Sequence, residues 1–247
     1  MIKTKPVPAE LNRLRDFGLR VLTRRGPLAD EEDRAVRAAL AEMQGAAAGH
    51  ELITEGQPLN RPCLLLEGWA VRQRVLSDGR RQIYTFLLPG DGIGLCARPD
   101  GVALQNTLAL TPVTFAPMPL LNQRLQAQAK TGLGEVAWDM LSLEEAFLTN
   151  QVMRLGRQSA YERLIHLLLE FHDRLKAKGA VEAGSFVMPF TQEVLSDALG
   201  LSTVHTNRVL QQLRRERLIE THAATVRLID PALLAEIADY RTSPRLG

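Results

Sequence analysis

The segment Thr191–Glu220, TQEVLSDALGLSTVHTNRVLQQLRRERLIE, constrains the fold most, because its pattern predicts two short helices joined by a glycine turn. The first helix would bury one apolar face, formed by Leu195, Ala198 and Leu199. Gly200 predicts the end of that helix, since glycine adopts a positive φ at little cost. Ser202 is a preferred N-cap residue and predicts the start of the second helix.

The second helix of this pair has one apolar and one polar face. The inward positions follow the spacing i, i+3, i+4 and i+7 and are Thr206, Val209, Leu210 and Leu213. A glycine turn followed by a helix with an exposed polar start is typical of a recognition helix in a DNA major groove. An ordinary helical hairpin with a solvated basic face is the alternative.

Several polar side chains of this segment are candidates for DNA contact. Arg208 suits a bidentate bond to guanine O6 and N7, which is worth about 1–3 kcal/mol of discrimination. The stretch from Ser202 to Arg217 holds four arginines and one glutamate, a local net charge of +3. The full set of predicted DNA-binding residues is Thr191, Gln192, Ser202, Thr203, Val204, His205, Asn207, Arg208, Gln211 and Gln212.

The residues that follow predict a winged helix. Leu218–Glu220 and Thr225–Ile229 have the composition of two short strands around a turn at residues 222–224. Asp230 and Pro231 then favour the start of a closing helix. A helix-turn-helix followed at once by a β-hairpin is the pattern of a winged helix.

The sequence pattern of the N-terminal half predicts helices to about residue 48 and short strands from Glu51 to about Met118. Trp69, Val71, Gln73 and Val75 alternate with Ala70, Arg72 and Arg74 in a period-two pattern. Asp78-Gly79 is a strong hairpin signal before the strand that begins at Arg81. Glycines punctuate this region at the spacing of an antiparallel β roll or jelly roll.

Both halves resemble the CRP/FNR superfamily of bacterial transcription regulators. The helix-turn-helix match rests on Gly200, Leu201, Ser202, Arg208, Leu213, Leu218 and Ile219. The β section is similar to the family's sensor domain through Glu55-Gly56, Leu66-Glu67-Gly68, Asp78-Gly79-Arg80 and Leu88-Pro89-Gly90-Asp91. Val204 stands where members that read the best-known half-site carry glutamate, so the operator sequence does not carry over.

The resemblance implies an α+β fold in three parts. These are helices and an antiparallel, jelly-roll-like β-roll sensor domain at 1–133, a dimerisation helix and hinge at 134–157, and a winged helix-turn-helix domain at 158–247. The predicted dimer interface is the heptad-like stripe Val136, Met140, Leu143, Phe147 and Asn150. A helix packed only on its own β roll is the alternative. Gly156 is the predicted weak point of the hinge.

The sensor domain departs from the cyclic-nucleotide pattern of the family. Leu95 stands where that pattern has a glutamate, Gln105-Asn106 stand near its Arg-Ser pair, and Arg98 comes too early. Cyclic AMP dependence is therefore not expected, although a variant nucleotide or small-molecule pocket stays open as an alternative. The candidate pocket residues are Leu95, Cys96, Arg98, Gln105, Asn106 and Thr149.

Other site chemistries lack the necessary residues. Two cysteines, Cys63 and Cys96, are too few for an iron–sulfur cluster, and no histidine lies between Glu51 and Ile165 to bind haem. They are candidate redox thiols or small buried apolar residues. A β-roll metalloenzyme, the remote alternative, would need clustered His and Glu ligands. We therefore expect no metal, no cofactor and no catalytic residue.

Together these patterns predict a homodimer that binds an inverted repeat in double-stranded DNA and works with RNA polymerase. No apolar run reaches the roughly 18 residues of a membrane span, and the few cysteines favour a reducing cytoplasm.

Overall fold

The computed structural model describes residues 8–130 and 132–242 and has an α+β fold. Its helices are α1 Pro8–Leu22, α2 Asp30–Ala41, α3 Pro119–Gln126, α4 Leu133–Arg157, α5 Ala160–Lys176, α6 Gln192–Leu199, α7 Thr203–Arg215 and α8 Pro231–Ile237. Its strands are β1 Gln44–Ala46, β2 Glu51–Ile53, β3 Cys63–Glu67, β4 Ala70–Val75, β5 Arg81–Leu87, β6 Gly92–Ile93, β7 Asn106–Ala109, β8 Val113–Pro117, β9 Ser185–Val187, β10 Ile219–His222 and β11 Thr225–Leu228.

Two compact units divide the chain. The first comprises Met1–Ala70 and Leu87–Ser142, and the second comprises Val71–Phe86 and Leu143–Gly247. The contacts thus place the β4–β5 hairpin with the C-terminal half and divide α4 after Ser142. Neither feature follows from the sequence boundaries predicted at 133 and 157.

The first unit is built on antiparallel strands. One sheet has the order β1-β8-β3-β6, and β2 pairs with β7. Helices α1 to α3 and the start of α4 cover its core, in which Leu64, Leu121 and Val136 are fully buried. Asp139 of α4 accepts a hydrogen bond from the Arg25 guanidinium at 2.9 Å, which attaches the chain just after α1 to α4.

The hairpin of β4 and β5 confirms the turn predicted at Asp78-Gly79. Both faces of β4 are buried over part of its length, because Arg72 and Gln73, which lie on opposite faces, are both buried. The Arg72 guanidinium forms an ion pair with Glu144 of α4. A strand buried on both faces hides the period of two that its sequence suggests.

The second unit joins this hairpin to the helices of the C-terminal half. Phe86 of β5 packs edge-to-face on Phe171 of α5 at 4.8 Å and stacks on Phe190 at 5.1 Å, measured between ring centroids. Strands β10, β11 and β9 form an antiparallel sheet in that order. The sequence predicted β10 and β11 but not β9.

The junction between α4 and α5 differs from the predicted hinge. Helix α4 continues through Gly156 to Arg157, so the predicted weak point of the hinge is helical in this structure. Ser159 caps α5 as predicted, in a capping box with Glu162. The non-helical link is therefore only Gln158 and Ser159.

Candidate DNA-binding surface

The helix-turn-helix forms from α6, a glycine turn and α7. Gly200 has a φ of 64°, the left-handed conformation that ends α6. Ser202 then accepts a hydrogen bond on its Oγ from the His205 backbone N–H at 3.2 Å, which caps α7. Thr191 occupies the N-cap position of α6 without a side-chain cap bond. Both predicted boundaries of the turn are confirmed.

The inward face of α7 fixes its rotation. Thr206, Val209, Leu210 and Leu213 are all buried, as the spacing predicts. The Ser196 hydroxyl of α6 donates to the Gln192 carbonyl at 2.7 Å and shares a hydrogen bond with the Thr206 hydroxyl at 3.0 Å. A buried hydrogen bond between the two helices makes their relative rotation specific. The same rotation determines which residues of α7 face solvent.

The outward face of α7 is open to solvent. The exposed predicted DNA-binding residues are Thr191, Ser202, Thr203, Val204, His205, Arg208 and Gln211, and the half-buried ones are Gln192, Asn207 and Gln212. Val204 is 71% exposed, an unusual position for a branched apolar side chain. In the described part of the chain, no carboxylate pairs with Arg208. Gln212 instead donates to Glu216 at 2.9 Å.

The end of α7 carries most of the positive charge. Arg214, Arg215 and Arg217 are exposed. Glu216 accepts hydrogen bonds from the Tyr161 hydroxyl and from Gln212, and these bonds hold the pKa of Glu216 below its usual range. The single acidic side chain among these arginines is therefore turned to internal partners, which favours phosphate contact by the arginines.

The wing is the hairpin of β10 and β11. Its register pairs Ile219 with Leu228 and His222 with Thr225, and Ala223 turns with a φ of 50°. Strand β9 adds a third strand through the pair Val226 and Phe186. Three residues of β9 at the end of a polar loop gave no strand signal, which is why sequence reasoning missed it.

The predicted dimer stripe on α4 requires a correction. Val136 and Met140 lie in the core of the first unit, and Phe147 packs under the Arg174 guanidinium at 3.9 Å in the second. Leu143 is half-buried, and the half-buried Asn150 donates to Glu170 at 3.4 Å. The stripe is therefore largely covered by the chain's own residues, by the core of the first unit at one end and by α5 at the other. The exposed apolar residues of α4 are Trp138, Val152 and Met153.

The candidate effector residues have partners within the protein. Leu95 is buried in the core of the first unit, and Arg98 pairs with Asp100 at 2.9 Å on its surface. Asn106 accepts a hydrogen bond from the Glu55 backbone N–H at 2.6 Å. Cys96 and Gln105 are half-buried, and Thr149 of the second unit is exposed. The single arginine among these positions, Arg98, is thus already paired with a carboxylate.

The two candidate redox thiols differ in burial, since Cys63 is buried and Cys96 is half-buried. Burial raises the pKa of Cys63 to about 12, so its thiol stays protonated and unreactive. Among residues 8–130 and 132–242, no three His, Cys, Asp or Glu side chains group as metal ligands would. Over the same ranges, none of the helices combines the length and apolarity needed to cross a bilayer.

Comparison with known proteins gives consistent matches. Residues 162–237 match the family model described as Crp-like helix-turn-helix domain. The transcriptional activatory protein AadR of Rhodopseudomonas palustris is 30% identical over 217 residues, which cover 87% of both chains. The nitrogen fixation regulation protein FixK of Bradyrhizobium diazoefficiens is 31% identical over 179 residues, 70% of this chain and 72% of that one.

A solved structure is also similar over most of the chain. The structure of FixK2 from Bradyrhizobium japonicum has a TM-score of 0.69 and 25% sequence identity. The match covers 81% of this chain and 98% of FixK2.

Proposed function

Because this chain belongs to the CRP/FNR family of DNA-binding transcription regulators, we propose that it acts as a homodimer on an inverted-repeat operator, without cyclic AMP. Two recognition helices related by a two-fold axis would enter successive major grooves about 34 Å apart. RNA polymerase would be the partner at the promoter and the cytoplasm the compartment. We assign the chain no catalytic role.

The observation that carries the proposal is the open outward face of α7, led by Arg208. A bidentate arginine–guanine pair is worth about 1–3 kcal/mol, so Arg208→Ala should weaken specific binding by roughly 5- to 150-fold for each half-site that the dimer contacts. An operator selected from a random DNA pool, followed by fluorescence anisotropy, measures this loss. Full specific binding by the Arg208→Ala variant would refute the assignment.

A matched control comes from the same helix. Arg215 is exposed at the end of α7, where it suits a phosphate. Arg215→Ala should weaken binding to all sequences alike and lower the slope of log affinity against log salt concentration by about one for each protomer bound. An equal loss of sequence preference in both variants would mean that Arg208 does not read a base.

The proposed dimer interface is a second apolar side of α4, which is only partly exposed. Trp138, Leu141, Leu148 and Val152 recur on it at intervals of three, seven and four residues, which fits one face of a coiled coil. Val152 is 73% exposed in the single chain, although it is apolar and lies on this face. A second copy of α4 presents the same face, and an isologous pair would cover both.

Sedimentation equilibrium tests this interface. Val152→Glu would place two negative charges in the interface between the two α4 helices, and the variant should therefore be a monomer. Leu104→Glu is the control, because Leu104 is equally exposed but lies outside α4. A dimeric Val152→Glu variant would reject the proposed interface.

Independence from cyclic AMP rests on Leu95, Gln105 and Asn106, which supply neither the carboxylate nor the guanidinium of the nucleotide pattern. Cyclic AMP should therefore leave the thermal midpoint unchanged at a concentration that saturates a nucleotide-dependent relative. A concentration-dependent rise in that midpoint would overturn this part of the proposal and favour a variant nucleotide pocket.

A further inference from the structure

The last carbonyl groups of α6, just before the helix-turn-helix turn, are hydrogen-bonded by side chains from other elements. A helix leaves its final four carbonyls without partners inside the helix. Here the Gln82 amide donates to the Asp197 carbonyl at 3.0 Å, and the Gln151 amide donates to the Ala198 carbonyl at 2.6 Å. The next carbonyl, of Leu199, accepts from an arginine of α5 at 3.1 Å.

Three elements therefore cap one helix end. Gln82 lies on β5, Gln151 on α4 and the arginine, Arg163, on α5. Gln151 also donates to the Ile83 carbonyl of β5 at 3.2 Å, so a single buried amide links the hairpin, α4 and α6. Arg163 donates in addition to the Leu155 carbonyl at 3.1 Å, near the end of α4.

The other side of Gln151 is fixed by a buried ionic network. Its Oε1 accepts from Arg154 at 2.8 Å, and Arg154 pairs with Glu170 at 2.7 Å. Arg174, 3.5 Å from the same carboxylate, donates to the Phe86 carbonyl of β5 at 2.9 Å. The contacts form a closed ring that starts and ends on β5 and passes through α4 and α5. Because Oε1 accepts from Arg154 while the NH2 group donates to the two carbonyls, the Gln151 amide can adopt only one orientation.

A second contact attaches α6 to the same hairpin. Asp197, whose carbonyl binds Gln82, pairs through its carboxylate with Arg81 at 2.6 Å. Both side chains are about three-quarters buried. Adjacent residues of β5 therefore hold the side chain and the carbonyl of one residue of α6.

We propose that Gln82 and Gln151 are positioning residues for DNA binding. Their amides cap α6 from outside and thereby hold the helix-turn-helix at one orientation relative to α4 and the β4–β5 hairpin. The outward face of α7 is exposed while the cap is formed, so the capped arrangement is the one that binds the operator. Any ligand or partner that displaces the hairpin, or rotates α4 at Gln151, would release the recognition helix.

This inference rests on the proposed homodimer, because orientation matters most when two recognition helices must engage together. A single half-site needs one recognition helix, whatever its orientation relative to α4. A full inverted repeat needs both at a fixed separation. If release lowers the competent fraction of each protomer to about a third, the competent fraction of dimers falls to about a tenth.

The test compares full-site and half-site DNA at one salt concentration. The variants Gln151→Met and Gln82→Met, alone and together in the full-length chain, keep side-chain length and remove the amide donor. We expect the double variant to bind the full inverted repeat about tenfold more weakly and the half-site within about twofold of the parent. Gln123→Met, an exposed glutamine on α3, is the control and should change neither affinity.

Each other result has a definite meaning. Unchanged full-site affinity in the double variant overturns the positioning role, and an equal loss on both DNAs assigns the residues to stability instead. Arg208→Ala should weaken both DNAs, which separates base reading from positioning. If the parent protein itself binds the full repeat no better than the half-site, the homodimer proposal fails, and the positioning inference fails with it.

Discussion

Glu170 should be the residue of the second unit whose charge is most costly to remove. Its carboxylate and the guanidiniums of Arg154 and Arg174 are all at most 2% exposed. Burial opposes ionisation of Glu170, but the two arginines outweigh it and hold the pKa of this carboxyl below its usual range. In Glu170→Gln, the buried guanidiniums of Arg154 and Arg174 would both lose the charge of this carboxylate.

The expected loss follows from that geometry. Removing one partner of a buried ion pair costs about 3–5 kcal/mol, a large part of the roughly 5–15 kcal/mol that stabilises a domain. With a urea dependence of about 2 kcal/mol per molar, the midpoint should fall by about 2 M. Glu220→Gln is the control, because Glu220 pairs with Arg227 at the surface and exposed pairs contribute little.

The chain supplies its own internal reference for the assay. Its two tryptophans, Trp69 and Trp138, lie in the first unit. Far-UV circular dichroism follows both units, whereas tryptophan emission follows the first. We expect Glu170→Gln to move the dichroism transition and leave the emission transition in place. A loss below about 1 kcal/mol would refute the claim that this network is dry and tightly paired.

Three further predictions concern single side chains of the second unit. Burial and a neighbouring arginine lower the pKa of His166 to about 4, so the folded protein binds fewer protons than the unfolded chain and loses stability as the pH falls. The free energy of unfolding should fall by roughly 2 kcal/mol between pH 7 and pH 5. An equal fall in the His166→Gln variant would show that His166 is not the cause. Gly200→Ala should lower the free energy of unfolding in urea by about 1–2 kcal/mol, because Gly200 has a positive φ. Gly156→Ala should raise it, because Gly156 is helical and a Cβ there would contact nothing. Thr206→Val should cost about 1 kcal/mol through the lost bond to Ser196, and an unchanged midpoint would show that this bond is not formed in solution.

The helix-turn-helix could be predicted because its signals are local. The turn needs a left-handed residue, which Gly200 supplies, and the second helix needs a cap, which Ser202 supplies. The buried face of α7 follows from the helical repeat alone. The β4–β5 hairpin was equally local, since Asp78-Gly79 fixes its turn. These features depend on residues a few positions apart, so the sequence is sufficient.

The external cap of α6 could not be predicted in the same way. It brings together Gln82, Gln151 and the Ala198 carbonyl, which are 69 and 47 positions apart in the chain. A glutamine in the sequence does not indicate which carbonyl its amide will bind in the folded protein. The short strand β9 was missed for a related reason, because Phe186 becomes a strand residue only by pairing with Val226.

Helix α4 shows most clearly where sequence stops and tertiary structure decides. The sequence by itself determined that α4 is a long helix with apolar residues at heptad spacing, because the helical repeat is intrinsic to the chain. It holds two such stripes, one through Val136 and Phe147 and one through Trp138 and Val152. Only packing against the rest of the chain decided that the first is largely buried and that Trp138 and Val152 of the second are exposed. An apolar stripe predicts that one side of a helix will be buried. The sequence does not show which surface buries it, because that surface forms only when the chain folds.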